Sequence, residues 1–231
     1  MKNNLIKIFI ALFVLIVIFC IYYYNKNIKN KRYKNKQFYD INEICPYLIN
    51  ISLYSNSIKN EIIDVDLGKW NTWPEKHLFN GSFDESTWKV YPFYAFGIWV
   101  KQNCEQCPKT YEFLKKVPGL KLATFSKLTK GMRLKPHCGW GSHSNYVIRC
   151  HYGIIVPTSC YVVVENIKQY HKQNDWLAFD DSKEHYAVNQ SDSDRIILIL
   201  DIERPSNIKI GTSDVTDTTE LLELVNHFKK L

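Results

Sequence analysis

Leu120-Lys121-Leu122-Ala123-Thr124-Phe125 is where the chain changes its period. Leu120, Leu122 and Thr124 alternate with Lys121, Ala123 and Phe125, the two-residue repeat of an extended strand whose two faces meet different surroundings. Further runs follow at close intervals: Tyr146 to Val156, Tyr161 to Glu165, Trp176 to Phe179 and Ile196 to Ile202. Pro157-Thr158-Ser159 and Asp180-Asp181-Ser182 punctuate them as turns. Short strands so closely spaced predict a sandwich or jelly-roll barrel.

Upstream the pattern is helical. Cys45-Pro46-Tyr47-Leu48 opens a predicted helix running towards Asn60, with proline in the first turn, where its missing N–H costs nothing. An aromatic, turn-rich stretch from Trp70 to Trp99 has Asn80-Gly81 as its clearest turn. A short helix is predicted over Lys109 to Lys116, stopped by Val117-Pro118-Gly119. In the tail, Thr216 to Leu231, residues Leu221, Leu222, Leu224, Val225 and Phe228 make one apolar helical face. The expected class is therefore α+β with a mainly β core and flanking helices.

The 231 residues suffice for one domain with a real core, and the amino terminus is set apart from it. From Ile8 to Tyr24 there is no charge, proline or glycine. With Leu5 and Ile6 this stretch is long enough to cross the roughly 30 Å hydrocarbon layer as a transmembrane helix, with Tyr22 to Tyr24 at the interface. No small-residue cleavage site follows, so the reading is an uncleaved anchor over residues 1–24, a basic linker over 25–40 and a folded domain over 41–231, its core about 88–205.

Lys29, Lys31, Arg32, Lys34 and Lys36 supply much of the formal charge of +7. Beside a membrane span this cluster suits an anionic lipid surface or is a solvated spacer. Tyr33 alone is not the aromatic interleaving of a single-strand binder, so the cluster gives no case for a nucleic-acid partner. The positive-inside rule puts the domain in the cytosol. Three acceptor patterns, at Asn50, Asn80 and Asn189, would be usable only in a secretory lumen. Cys104-Glu105-Gln106-Cys107 has no second pair to complete a zinc site, and the reading is structural.

The chemistry lies in a few polar residues beside the strands. His137 closes Leu134-Lys135-Pro136-His137, His185 opens His185-Tyr186-Ala187-Val188, and Arg195 starts the apolar run that follows. Imidazoles suit iron, copper, nickel and zinc, and a guanidinium matches a carboxylate through two parallel hydrogen bonds. Arg149 and His151 share one strand face and, with Ser126 and Arg195, are candidates to line an anion pocket. The competing reading has Arg149 answering an internal carboxylate and His151 a backbone carbonyl. His77, His143, His171 and His227 are read as surface or core residues.

The ordered set Lys121 to Ser126, Gly131, Pro136-His137-Cys138-Gly139, Asn145 to Gly153, Phe179-Asp180-Asp181-Ser182-Lys183-Glu184-His185 and Arg195 resembles the catalytic domain of the aspartyl/asparaginyl β-hydroxylases. Trp88 to Tyr94 and Cys107-Pro108-Lys109-Thr110 add to the likeness, which runs from about Trp88 to Pro205. The resemblance implies a double-stranded β-helix (jelly-roll, cupin-like) and a dioxygenase using Fe(II), 2-oxoglutarate and O2. It implies that His137 and His185 bind the metal, that Arg195 and Ser126 hold the distal carboxylate of 2-oxoglutarate, and that Arg149 and His151 steady the end nearer the metal. Most iron oxygenases carry an acid two positions after the first histidine; here that position is Gly139, as in the family resembled, and a water would complete the coordination.

The substrate implied is an aspartyl or asparaginyl residue of a protein or peptide, hydroxylated at its β-carbon. The family resemblance also favours a lumenal domain. The runner-up is a lipid acyl chain, which an anchor beside a basic linker would suit too. The open position at Gly139 has room for chloride, which would turn the reaction towards halogenation. From another class, the chain is read as a non-catalytic, membrane-tethered β-barrel binding module, against which stands the whole set of His137, His185 and Arg195.

Overall fold

The computed structural model describes residues 14–23, 36–65, 70–79 and 87–228. Residues 14–23 are helical with exposed side chains. Among the described residues no helix is long and apolar enough to cross a membrane. The rest of the expected anchor, most of the basic linker and the Asn80-Gly81 turn lie outside the described residues.

Lys36–Pro205 and Ile210–Leu231 form a compact unit built on two antiparallel sheets. Its strands are β1 (Phe38–Tyr39), β2 (Asn71–Thr72), β3 (Trp88–Ala95), β4 (Ile98–Trp99), β5 (Leu120–Leu128), β6 (Val147–Ile155), β7 (Cys160–Val164), β8 (Ile167–Tyr170), β9 (Trp176–Phe179), β10 (His185–Asn189) and β11 (Arg195–Glu203). The larger sheet runs β1-β9-β6-β11-β5-β3-β2, with β4 on β3, and the smaller runs β10-β7-β8. Neighbours in space that are distant in sequence, such as β6 between β9 and β11, give the crossed connections of a jelly roll.

The register explains the sequence pattern. β11 lies between β5 and β6, with Ile197 opposite Ser126 and Gly153, and Ile199 opposite Thr124 and His151. A strand so central is covered on both faces, which is why Ile196 to Leu200 is continuously apolar. The inner faces of the two sheets meet through Trp88, Leu128, Val162, Val164, Leu177, Phe179 and Ala187. Each of the larger of these side chains contributes roughly 1.5–3 kcal/mol by leaving water.

Helices cover the larger sheet. The single helix expected from Cys45 is two: a 3-10 segment, Pro46–Leu53, and an α-helix, Ser55–Asp64, separated at Tyr54. The predicted helix near Lys109 is Pro108–Leu114. Its free first-turn N–H groups at Lys109 and Thr110 donate to the Glu61 carboxylate, at 2.6 and 2.9 Å. A carboxylate there answers both the unpaired donors and the positive end of the helix. The tail helix is Thr219–Phe228, with Leu221 buried but Leu222 exposed.

Trp88–Ala95, expected to be turn-rich, is an eight-residue strand. Its Pro92, which has no N–H to give, lies where the β3–β5 register slips between Pro92 and Tyr94. Asn189, one of the acceptor patterns, is buried and its amide donates to the carbonyls of Leu128, Thr129 and Ser193. That side chain is closed to glycosylation in the folded state.

Candidate active site

Between the two inner faces lies a cavity, and Ser126, His137, Arg149, His151, His185 and Arg195 all line it. Ser126 and His151 come from β5 and β6, Arg195 from the start of β11, and His185 from the start of β10 in the other sheet. His137 reaches the cavity by pairing with His185 in an isolated antiparallel bridge. All six sequence candidates are therefore brought to one place.

The two bridged histidines are oriented alike. His137 Nδ1 is 2.8 Å from the carbonyl of Lys135, and His185 Nδ1 is 2.8 Å from the carbonyl of Lys183. A carbonyl only accepts, so each Nδ1 carries the proton and each Nε2 keeps its lone pair. Burial lowers both, His137 to about 3 and His185 to about 4, so the rings are neutral at ordinary pH. Their ring centroids are 4.4 Å apart. Neutral imidazoles fixed through Nδ1–H to a carbonyl are the form in which histidine ligates a metal. Among the described residues no group of three His, Cys, Asp or Glu side chains is arranged to hold a metal.

The space beside Gly139, two residues after His137, is taken by a carboxylate. A Cβ on Gly139 would lie 2.1 Å from Asp181 Oδ2. The Asp181 carboxylate thus fills the space that a side chain at 139 would take, arriving from the turn before β10. Its Oδ1 is 3.4 Å from His185 Nε2 and 2.5 Å from Arg149 Nη1.

Arg149 meets internal carboxylates. Its Nε–H and Nη2–H donate to the two oxygens of Asp201, each at 2.8 Å, while Nη1 faces Asp181. With its fork committed to Asp201 and Asp181, it is a holder of Asp181. Asp201 lies directly opposite Arg149 in the β6–β11 register, and Arg149 drives its carboxyl far below the usual carboxylate range against the opposing effect of burial. The neighbouring Asp180 is taken by Arg204, at 3.0 and 2.6 Å. His143, read from sequence as an ordinary surface or core residue, closes the other end of this network, its Nε2 2.8 Å from Asp201 Oδ2.

Arg195 is in the opposite condition. It is 2% exposed, and its Nε and Nη1 have no hydrogen-bond partner. Burial pushes it down to about 10. A buried guanidinium short of partners is costly, so this cavity suits an anion. Ser126 Oγ accepts from Trp88 Nε1 at 3.0 Å, which leaves its own hydroxyl proton to donate. His151 does not meet a backbone carbonyl: its Nδ1 is 3.1 Å from His171 Nε2, and its Nε2 is buried without a partner. Two orphaned guanidinium nitrogens and an orphaned imidazole nitrogen around one cavity fit a carboxylate-bearing co-substrate, and the histidine pair fits a transition metal.

Sequence reasoning missed Asp181, Asp201, His143 and His171. Asp201 had a signal, a lone acid inside an apolar strand, which demands a buried cation.

The model of the aspartyl/asparaginyl beta-hydroxylase family matches residues 54–205. The ornithine lipid ester-linked acyl 2-hydroxylase of Rhizobium tropici is 35% identical over 124 residues, 52% of this chain and 43% of that protein. Aspartate beta-hydroxylase domain-containing protein 2 of Mus musculus is 31% identical over 128 residues, 52% of this chain and 36% of that protein. The chain thus spans less than half the length of these curated relatives. A solved prolyl hydroxylase from Trichoplax adhaerens superimposes with a TM-score of 0.45 at 9% identity, over 64% of this chain and 78% of that one, a likeness too distant to bear on function. With the model covering most of the compact unit, the chain belongs to the aspartyl/asparaginyl beta-hydroxylase family.

Proposed function

We propose that the protein is an iron(II)- and 2-oxoglutarate-dependent dioxygenase on a double-stranded β-helix, hydroxylating the β-carbon of an aspartyl or asparaginyl residue in a protein substrate. The observation that carries this is the juxtaposition of two bare imidazole Nε2 atoms with the unpaired Arg195 guanidinium in one cavity.

His137 and His185 would hold the iron, their rings already locked by the Lys135 and Lys183 carbonyls. When bound, the metal supplies oxygen activation, coupling decarboxylation of 2-oxoglutarate to succinate and carbon dioxide with insertion of one oxygen atom into a substrate C–H bond. Arg195, Ser126 and His151 bind the oxo-acid through its carboxylate oxygens. Arg149 holds the Asp181 carboxyl beside the histidine pair and opposes the burial that pushes that group up. Trp88 and Phe179 supply apolar wall to the cavity, which strengthens each of these charge-assisted contacts. The test is anaerobic titration with iron(II) and 2-oxoglutarate, followed by admission of oxygen with candidate peptides. Succinate formed in step with hydroxylated peptide supports the reading; absence of co-substrate binding by the folded protein ends it.

A second reading, a lipid acyl chain as substrate, has its own support. An apolar pocket is lined by Trp73, Pro92, Phe96, Leu122, Trp140 and Leu221 among others. Trp73 stacks on Trp88 of the metal cavity, with ring centroids 4.6 Å apart. The Rhizobium relative is named for an acyl hydroxylation. Mass spectrometry of peptides and extracted lipids after turnover separates the two substrates.

A further inference from the structure

His171 follows β8, and its N–H donates to the Cys160 carbonyl at 2.9 Å. The segment after it comes unusually close to β6. A Cβ on Gly153 would lie 2.0 Å from the carbonyl oxygen of Lys172, so only glycine lets that backbone through. The approach lays the His171 ring alongside His151, with centroids 5.3 Å apart and planes within 15°.

The pair shares one hydrogen bond and leaves two nitrogens unsatisfied. His151 Nδ1 and His171 Nε2 are 3.1 Å apart, while His151 Nε2 and His171 Nδ1 are buried without partners. His151 Nε2 belongs to the cavity residue that sits with Arg195, whereas His171 does not line the cavity. Burial, together with the neighbouring Arg195 cation, holds both rings far below the ordinary histidine range, so exactly one proton lies between them.

That proton has two placements. Carried on His151 Nδ1, it leaves His151 Nε2 as a bare lone pair facing an anion bound by Arg195, which is repulsive. Carried on His171 Nε2, it makes His151 Nδ1 the acceptor and puts a proton on His151 Nε2, directed at the cavity. Resting on the co-substrate reading above, we propose that His171 is a positioning residue that fixes His151 in the Nε2–H tautomer, so that a buried N–H beside the Arg195 guanidinium binds a carboxylate of 2-oxoglutarate.

Two measurements on the full chain test this. In the first, protein with ¹⁵N-labelled histidine is loaded with zinc(II) and 2-oxoglutarate, and ring nitrogens are assigned by long-range ¹H–¹⁵N correlation. The expected pattern is His151 protonated at Nε2 and bare at Nδ1, with His171 protonated at Nε2; a proton on His151 Nδ1 overturns the proposal. In the second, calorimetry under anaerobic manganese(II) gives the 2-oxoglutarate dissociation constant. His171→Phe keeps a flat ring but removes the donor and should weaken binding about tenfold, the worth of one hydrogen bond to a charged group. His171→Gln, which carries an amide N–H at a similar reach, should recover most of that loss. Equal weakening in both variants, or none in His171→Phe, overturns the proposal, whereas wild-type protein that binds no 2-oxoglutarate overturns the functional reading itself.

Discussion

His137 and His185 exchange a reciprocal pair of backbone hydrogen bonds, His137 N to His185 O at 3.0 Å and His185 N to His137 O at 2.8 Å. The bridge pins two chain segments to each other at two residues that line the cavity, so main chain brings the imidazoles side by side. A metal entering here meets a preorganised pair, with each ring held by its own carbonyl two residues back.

From this, His137→Ala and His185→Ala should each abolish high-affinity binding of iron(II), read by anaerobic calorimetry, and with it succinate formation. Retention of a wild-type isotherm by either variant would contradict the ligand assignment.

Arg195→Lys should raise the 2-oxoglutarate dissociation constant by about tenfold while leaving metal affinity unchanged, because a point charge replaces a two-pronged fork. Ser126→Ala should have a smaller effect in the same direction. An Arg195→Lys variant with unaltered co-substrate affinity would remove Arg195 from the binding site.

Substitution of His143 should not be silent. Its side chain is 16% exposed and its ring donates to the buried Asp201, which in turn holds Arg149. His143→Ala leaves that carboxylate short of one donor and should lower stability to urea by roughly 1–3 kcal/mol. An unchanged unfolding curve would show that the network closes without it.

Acid should destabilise the metal-free protein. Burial depresses His137, His151, His171 and His185 in the fold, while the unfolded chain takes up these protons near pH 6.5, the usual histidine value. The unfolded state then binds more protons, so stability is complete above that pH and falls as pH is lowered towards the folded values. Each histidine contributes a slope of about 1.4 kcal/mol per pH unit. Urea midpoints measured in chelator should fall steadily through this window, and a flat profile would be incompatible with four histidines held neutral by the fold.

What the sequence disclosed follows from locality. The alternation after Leu120 and the apolar run after Arg195 are consequences of faces covered or bare, so they are written in the strands themselves. Arg149 and His151 are two residues apart, and their shared face was legible. Their partners were not: Asp201 meets Arg149 through the β6–β11 register, and His171 meets His151 through a backbone approach that depends on Gly153. Both are long-range pairings with no signature at either end taken alone. The strand from Trp88 was hidden because a proline in a strand reads as a breaker unless the register slip beside it is known.

Asp181 occupying the space above Gly139 constrains how this centre can be altered. Installing a facial triad by Gly139→Asp alone would set two carboxylates in one volume and strip Arg149 of a counter-charge. Only a compensated exchange, with Asp181 reduced to a small residue at the same time, offers room for a third ligand. The room for a further ligand beside His137 and His185 is in that sense a joint property of two segments, and changing one without the other leaves both misfitted.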